Sequence, residues 1–184
     1  MLGSLCRSLI ALVVAAGLAT SGATVARAQE APPESAPPPY TEAAEFTVLN
    51  LINLFRLEHA LRPLEWDPVL TDLARERSAD MAARGYFGHD IPGDGFGPDW
   101  ELSQLIGVVG AGENLGKSNE SNDTAMWSLF DAWVESPTHL ENLVRPIWNR
   151  IGIGVVEVQS PYSERTIKIV TQVFAVATGP VRRA

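Results

Sequence analysis

Cysteine is nearly missing from this chain: the one residue, Cys6, lies in an N-terminal stretch that reads as a leader. That stretch carries Arg7, an apolar run over residues 9–18, and small residues ending in Ala26-Arg27-Ala28. It has the pattern of a signal peptide cleaved after Ala28, spanning residues 1–28. With Cys6 removed, the mature chain has no disulfide, no thiol nucleophile and no thiolate metal site. Cys6 also precedes the apolar run, whereas a lipoprotein cysteine would follow it. Long hydrophobic runs are absent too, since no segment reaches the ~20 apolar residues of a membrane-spanning helix. Stable membrane insertion is therefore not expected. Basic charge is sparse, with 14 Lys and Arg against 22 Asp and Glu. An acidic surface repels nucleic acid and anionic membranes, so neither is an expected partner.

Several catalytic signatures are lacking as well. No His-Glu-x-x-His occurs, because Leu140 follows His139, and no Gly-x-Ser-x-Gly occurs. The segment 111–118 approaches a phosphate loop, but its first glycine is missing and Glu113 would set a negative charge where phosphates bind. That reading is rejected.

Five prolines fall in residues 29–40. A composition of Pro, Ala, Glu and Ser cannot bury a core, and residues 29–41 are expected to be a linker or an N-terminal tail. The remainder suffices for one domain, expected over residues 42–178 with a short C-terminal tail at 179–184.

Thr41 is placed to cap a first helix, whose apolar positions Phe46, Leu49, Ile52 and Phe55 recur at helical spacing up to about His59. Asp67-Pro68 opens a second helix, with Val69, Leu70, Leu73, Ala74, Arg77 and Met81 on one face and Gly85 as its stop. Residues 86–99 read as an irregular loop, with Asp99 capping a short helix through Ile106. A further helix opens near Asn122-Asp123-Thr124 and buries Met126, Leu129, Phe130 and Trp133. Ser136-Pro137 ends it and caps another short helix that holds His139 in its first turn. Residues 151–158 alternate and residues 167–177 are β-branched and apolar, which predicts a hairpin through Ser160-Pro161-Tyr162-Ser163. The fold class is α+β, with helices on both faces of a small sheet.

Only three histidines exist. His59, at the end of the first helix, reads as structural or exposed. His89 lies on a loop between aromatics and glycine, where an imidazole serves either a site or only the loop. His139 sits near the positive end of its helix, which favours the neutral ring that binds metal or accepts a proton. Glu113 stands among glycines, which permit sharp turns and close approach. It serves either a site or the backbone.

These segments together resemble the CAP superfamily of cysteine-rich secretory, antigen 5 and pathogenesis-related proteins, in its bacterial SCP-like form. The resemblance is carried by residues 50–61 with Leu64-Glu65-Trp66-Asp67 and Leu73-Ala74, and by Asp80-Met81-Ala82 through Gly85-Tyr86-Phe87-Gly88-His89. Gly112-Glu113-Asn114-Leu115 is similar to the family's Gly-Glu-Asn motif. Trp133 through His139 has the bacterial Trp-x-x-Ser-Pro-x-His form, continued by Asn142-Leu143, Ile151-Gly152-Ile153-Gly154 and Thr171-Gln172-Val173-Phe174. The resemblance covers roughly residues 46–177, and the order and spacing of the segments are specific together.

It implies an α-β-α sandwich with a small antiparallel sheet between helical layers, and a cleft lined by two histidines and two acids. His89, Glu113 and His139 match. The second acid of animal and plant members falls on Ser136, with Glu135 one place earlier as the nearest carboxylate. Such a set suits a divalent ion, zinc foremost, on His89, His139 and Glu113. Zinc would then bind less well as pH falls through about 6.5.

The leading expectation is a noncatalytic, secreted or periplasmic monomer that holds a small apolar, sterol-like or envelope-derived ligand in this cleft. Two alternatives stay open. One is a metal-assisted, peptidase-like hydrolase with Glu113 as its base. The other is an envelope interaction protein with a vestigial cleft.

Overall fold

The computed structural model describes residues 41–160 and 163–184. The expected signal peptide and residues 29–40 of the expected linker lie outside these. Helix α1 (Thr41–Glu58) and strand β1 (Glu65–Trp66) lead to α2 (Pro68–Arg84). A small hairpin of β2 (Asp90–Ile91) and β3 (Gly95–Phe96) precedes α3 (Gly97–Ser103). Next come β4 (Leu105–Ser118), α4 (Asn122–Glu135), α5 (Pro137–Val144), β5 (Arg150–Gln159) and β6 (Thr166–Arg183).

The main sheet has the order β1-β5-β6-β4. Its three long strands pair antiparallel, and two-residue β1 joins β5 in parallel. Side chains alternate across it, as a strand's pleat requires. Ile151, Ile153 and Val155 of β5 and Val170 and Phe174 of β6 face α1 and α4, where they meet Val48, Ile52, Met126 and Trp133. Val173 and Ala175 face the other way, onto Leu70, Leu73 and Ala74 of α2. Each Val, Leu, Ile, Phe or Met among these contributes about 1.5–3 kcal/mol on burial. The chain is thus an α-β-α sandwich.

Helix α2 follows its sequence signals closely. Asp67 accepts from the backbone N–H groups of Val69 (2.9 Å) and Leu70 (3.1 Å). Gly85 ends the helix in the left-handed region at φ 70°. The helix sits directly on the glycines of β5. A Cβ at Gly152 would fall 2.1 Å from the carbonyl carbon of Leu70, and one at Gly154 would fall 2.2 Å from that of Ala74.

Several expectations change. Phe46 is 52% exposed and stacks on Trp66 with ring centroids 5.3 Å apart. The rest of the expected α1 stripe holds, with Leu49 and Ile52 buried and Phe55 partly buried against the core, and Ala44, Val48 and Leu51 extend it toward β5 and α4. Asp99 lies within α3 rather than at its cap, and Ile106 belongs to β4. Ser136 holds the cap position of α5 without a side-chain cap bond. Residues 179–183 are strand rather than tail, because β6 continues to pair with the start of β4, Arg183 opposite Leu105. Strand β4 itself was not foreseen.

Among the described residues no helix is long and apolar enough to cross a membrane.

Candidate functional site

β4 is the edge of the sheet, and consecutive residues of it point to opposite faces. Glu113 points to the α2 side and Asn114 to the α5 side, and each holds one part of the site.

On the α2 side, Glu113 is buried with its side chain fully enclosed. Its Oε2 accepts from Arg77 Nε at 3.0 Å, and its Oε1 lies 2.7 Å from Nδ1 of His89. His89 arrives there because Gly85 stops α2 and the chain turns back over it. Arg77 Nη2 donates to the carbonyls of Gly88 (2.6 Å) and His89 (3.2 Å), and the N–H of Gly97 donates to the His89 carbonyl at 2.8 Å. Arg77 Nη1 donates to the Tyr86 hydroxyl at 2.5 Å, which donates onward to Asp80 at 2.6 Å.

On the α5 side, Asn114 Nδ2 donates to the backbone carbonyl of His139 at 3.1 Å and to Gln172 Oε1 at 3.1 Å. Asn142 Nδ2 donates to Asn114 Oδ1 (2.9 Å) and to the Glu113 carbonyl (3.2 Å). Arg56 anchors the far end of α5 by donating to the carbonyls of Leu143 (2.8 Å) and Arg145 (3.2 Å). His139 is thereby fixed through its backbone, while its ring Nδ1 is buried without a partner among the described residues. Burial, and then the charge of His89, lowers the pKa of His139 below the ordinary imidazole value. The two rings therefore lie within electrostatic reach of one another across the edge of β4.

A second acid completes the site, and it is Glu101 of α3. The residue is fully buried, and neither carboxyl oxygen meets a donor among the described residues. Burial, then the charge of Glu113 and a hydrogen bond with it, hold its pKa well above the usual carboxylate range. Protonation would let one Glu101 oxygen donate to Glu113, while the other oxygen stays without a donor among the described residues. In the sequence Glu101 carries no signal of burial, since it lies two residues after Asp99 in a short helix of mixed polarity. Glu135 is exposed at the end of α4, and among the described residues it makes no hydrogen bond or ion pair with His89, Glu113 or His139. His59 is exposed beyond α1, with Nδ1 2.8 Å from the Phe55 carbonyl.

Two exposed phenylalanines, Phe87 and Phe96, flank His89 in the sequence. Phe96 is 47% exposed with its ring 6.1 Å from the imidazole, and Phe87 is exposed with Lys117 Nζ 5.8 Å from its ring centroid.

A divalent ion on His89, His139 and Glu113 does not fit these contacts. Both oxygens of Glu113 are already engaged, one by a guanidinium. Among the described residues no three His, Cys, Asp or Glu side chains are grouped to hold an ion. A catalytic zinc draws on three protein ligands, and two imidazoles remain.

The fold coincides with that of a known family. The model of the cysteine-rich secretory protein family, CAP, matches residues 49–174, over half of the chain, and the chain belongs to that family. It is 31% identical over 148 residues to the uncharacterised protein YkwD of Bacillus subtilis, covering 80% of this chain and 56% of that one. It is 29% identical over 112 residues to the uncharacterised membrane protein YlbC of the same organism, covering 61% and 31%. The chain thus spans just over half of one curated relative and under a third of the other. Among solved structures, an extracellular protein with an SCP domain from Bacillus anthracis aligns with TM-score 0.60 and 27% identity, over 72% of this chain and 40% of that one. An outer surface protein of Borrelia burgdorferi aligns with TM-score 0.59 over 74% of this chain and 94% of its own, and at 19% identity it speaks for the fold alone.

Proposed function

We propose that this chain is a noncatalytic binding module, exported from the cytoplasm, whose cleft takes a small apolar or envelope-derived ligand between the imidazoles and the Phe87 and Phe96 rim. The state of Glu113 is the observation that carries this reading. A general base needs a free lone pair within reach of substrate. The Glu113 side chain is fully enclosed, with Arg77 on one oxygen and His89 on the other, so neither oxygen opens toward a substrate, which disfavours the hydrolase alternative. Exposed aromatic rings beside imidazoles suit an apolar ligand with a polar group.

Export is favoured by the leader pattern of residues 1–28 and by the extracellular relative from Bacillus anthracis. N-terminal sequencing of the protein from the medium or periplasm should begin at Gln29.

Organic extraction of the purified protein followed by mass spectrometry tests the binding reading. An apolar compound present at near one per chain, and lost from a His89→Ala, Phe96→Ala double variant, is the expected result. Equal recovery from both proteins, or turnover of a peptide library abolished by Glu113→Gln, would sink it.

A further inference from the structure

Arg77 is 1% exposed, and three of the four hydrogen bonds it makes among the described residues bear on His89. Two of them go to the carbonyls of Gly88 and His89, which set the backbone of the His89 turn. A third goes to Glu113 Oε2, while the other oxygen of that carboxylate faces His89 Nδ1 at 2.7 Å. One guanidinium therefore fixes both the main chain and the side chain of His89. Two carboxyl groups meet here, and only one is ion-paired. Arg77 pairs with Glu113 at 3.0 Å, while burial and the Glu113 charge raise the pKa of Glu101. An ionised carboxylate can only accept, so the imidazole nitrogen facing it must carry hydrogen.

We propose that Arg77 is a positioning residue that, by pairing with Glu113 instead of Glu101, locks His89 in the Nδ1–H tautomer and leaves its Nε2 lone pair facing outward. Carboxylates that accept from the far nitrogen of many functional histidines orient the ring in the same manner. Here the carboxylate is itself oriented by a buried cation. His89 then presents an acceptor, so the ligand group that meets it is a donor, a hydroxyl or an N–H. This last step rests on the ligand-binding reading, whereas the tautomer does not.

Two-bond proton–nitrogen NMR correlations of the mature protein at pH 8 read the tautomer with no ligand present. His89 in the wild-type protein should show hydrogen on Nδ1. Arg77→Met should shift the majority form to Nε2–H, and Arg77→Lys should restore Nδ1–H by returning the charge. Tyr86→Phe, which removes a different partner of Arg77, should leave the tautomer unchanged. A wild-type His89 with hydrogen on Nε2 overturns the proposal even if Arg77→Met does not fold, and so does a folded Arg77→Met protein that keeps the wild-type pattern. For the ligand step, 1-decanol should bind about fivefold more tightly than its methyl ether, as one added hydrogen bond implies. Equal affinity overturns the donor assignment. If neither compound shifts the resonances of the cleft, the ligand-binding reading fails and the donor step falls with it, while the tautomer spectrum still decides the role of Arg77.

Discussion

Glu101 and His139 illustrate what burial does to single groups with opposite charge behaviour. The raised pKa of Glu101 means that the folded chain keeps a proton which the unfolded chain has released. Its contribution to stability is complete below the ordinary carboxyl value of 4.5 and is lost as pH climbs toward the raised one. The slope approaches about 1.4 kcal/mol per pH unit. Glu101→Gln should therefore match the wild type in urea midpoint near pH 4 and exceed it at pH 8. The lowered pKa of His139 acts in the other sense. The unfolded chain gains a proton that the folded one refuses, so stability is complete above 6.5 and is lost as pH falls through that value toward the lowered one. His139→Gln should flatten the acid side of the urea-midpoint profile below pH 6.5. At this scale the sequence showed His89, Glu113 and His139 as candidates, and the family resemblance raised them above their structural readings. It did not show Glu101 or the role of Arg77. A carboxyl becomes buried only when α3 packs against β4, and the partners of Arg77 come from a turn and a strand far along the chain.

Single elements were legible where their signals are local. The cap at Asp67, the proline after it and the left-handed Gly85 are each set by a few neighbouring residues, and α2 starts and stops as expected. Asp67→Ala should cost about 0.5–2 kcal/mol in a urea titration. β4 was illegible for the opposite reason. Its sequence is rich in glycine, which weakens any strand reading. Those glycines make room for side chains from elsewhere: a Cβ at Gly116 would fall 2.5 Å from the ring of Trp133, and one at Gly112 would fall 2.9 Å from that of Trp148. The glycines of β5 serve α2 in the same way. Gly152→Ala and Gly154→Ala should each cost about 3 kcal/mol or more, because helix backbone has no rotamer by which to yield. Gly179→Ala, where a Cβ meets nothing within 4 Å, should stay within about 0.5 kcal/mol by the same titration.

In the whole molecule, alternation in residues 151–158 and 167–177 together with the helical stripes defined the layered class. The order of strands is a long-range property and had to come from the structure. That order leaves β4 at the margin, with His89 supplied from one helical layer and His139 from the other. A compound that touches both rings must therefore join, at the β4 margin, two layers that elsewhere meet through the sheet and through the ion pair of Arg75 on α2 with Glu45 on α1. Such a guest would act as a rivet. At a hundred times its dissociation constant it would add about 2.7 kcal/mol to the unfolding free energy. Hydrogen exchange should slow together in α5 and in residues 86–97, two stretches on opposite sides of the molecule, which makes deuterium uptake a way to find the cargo before its chemistry is known.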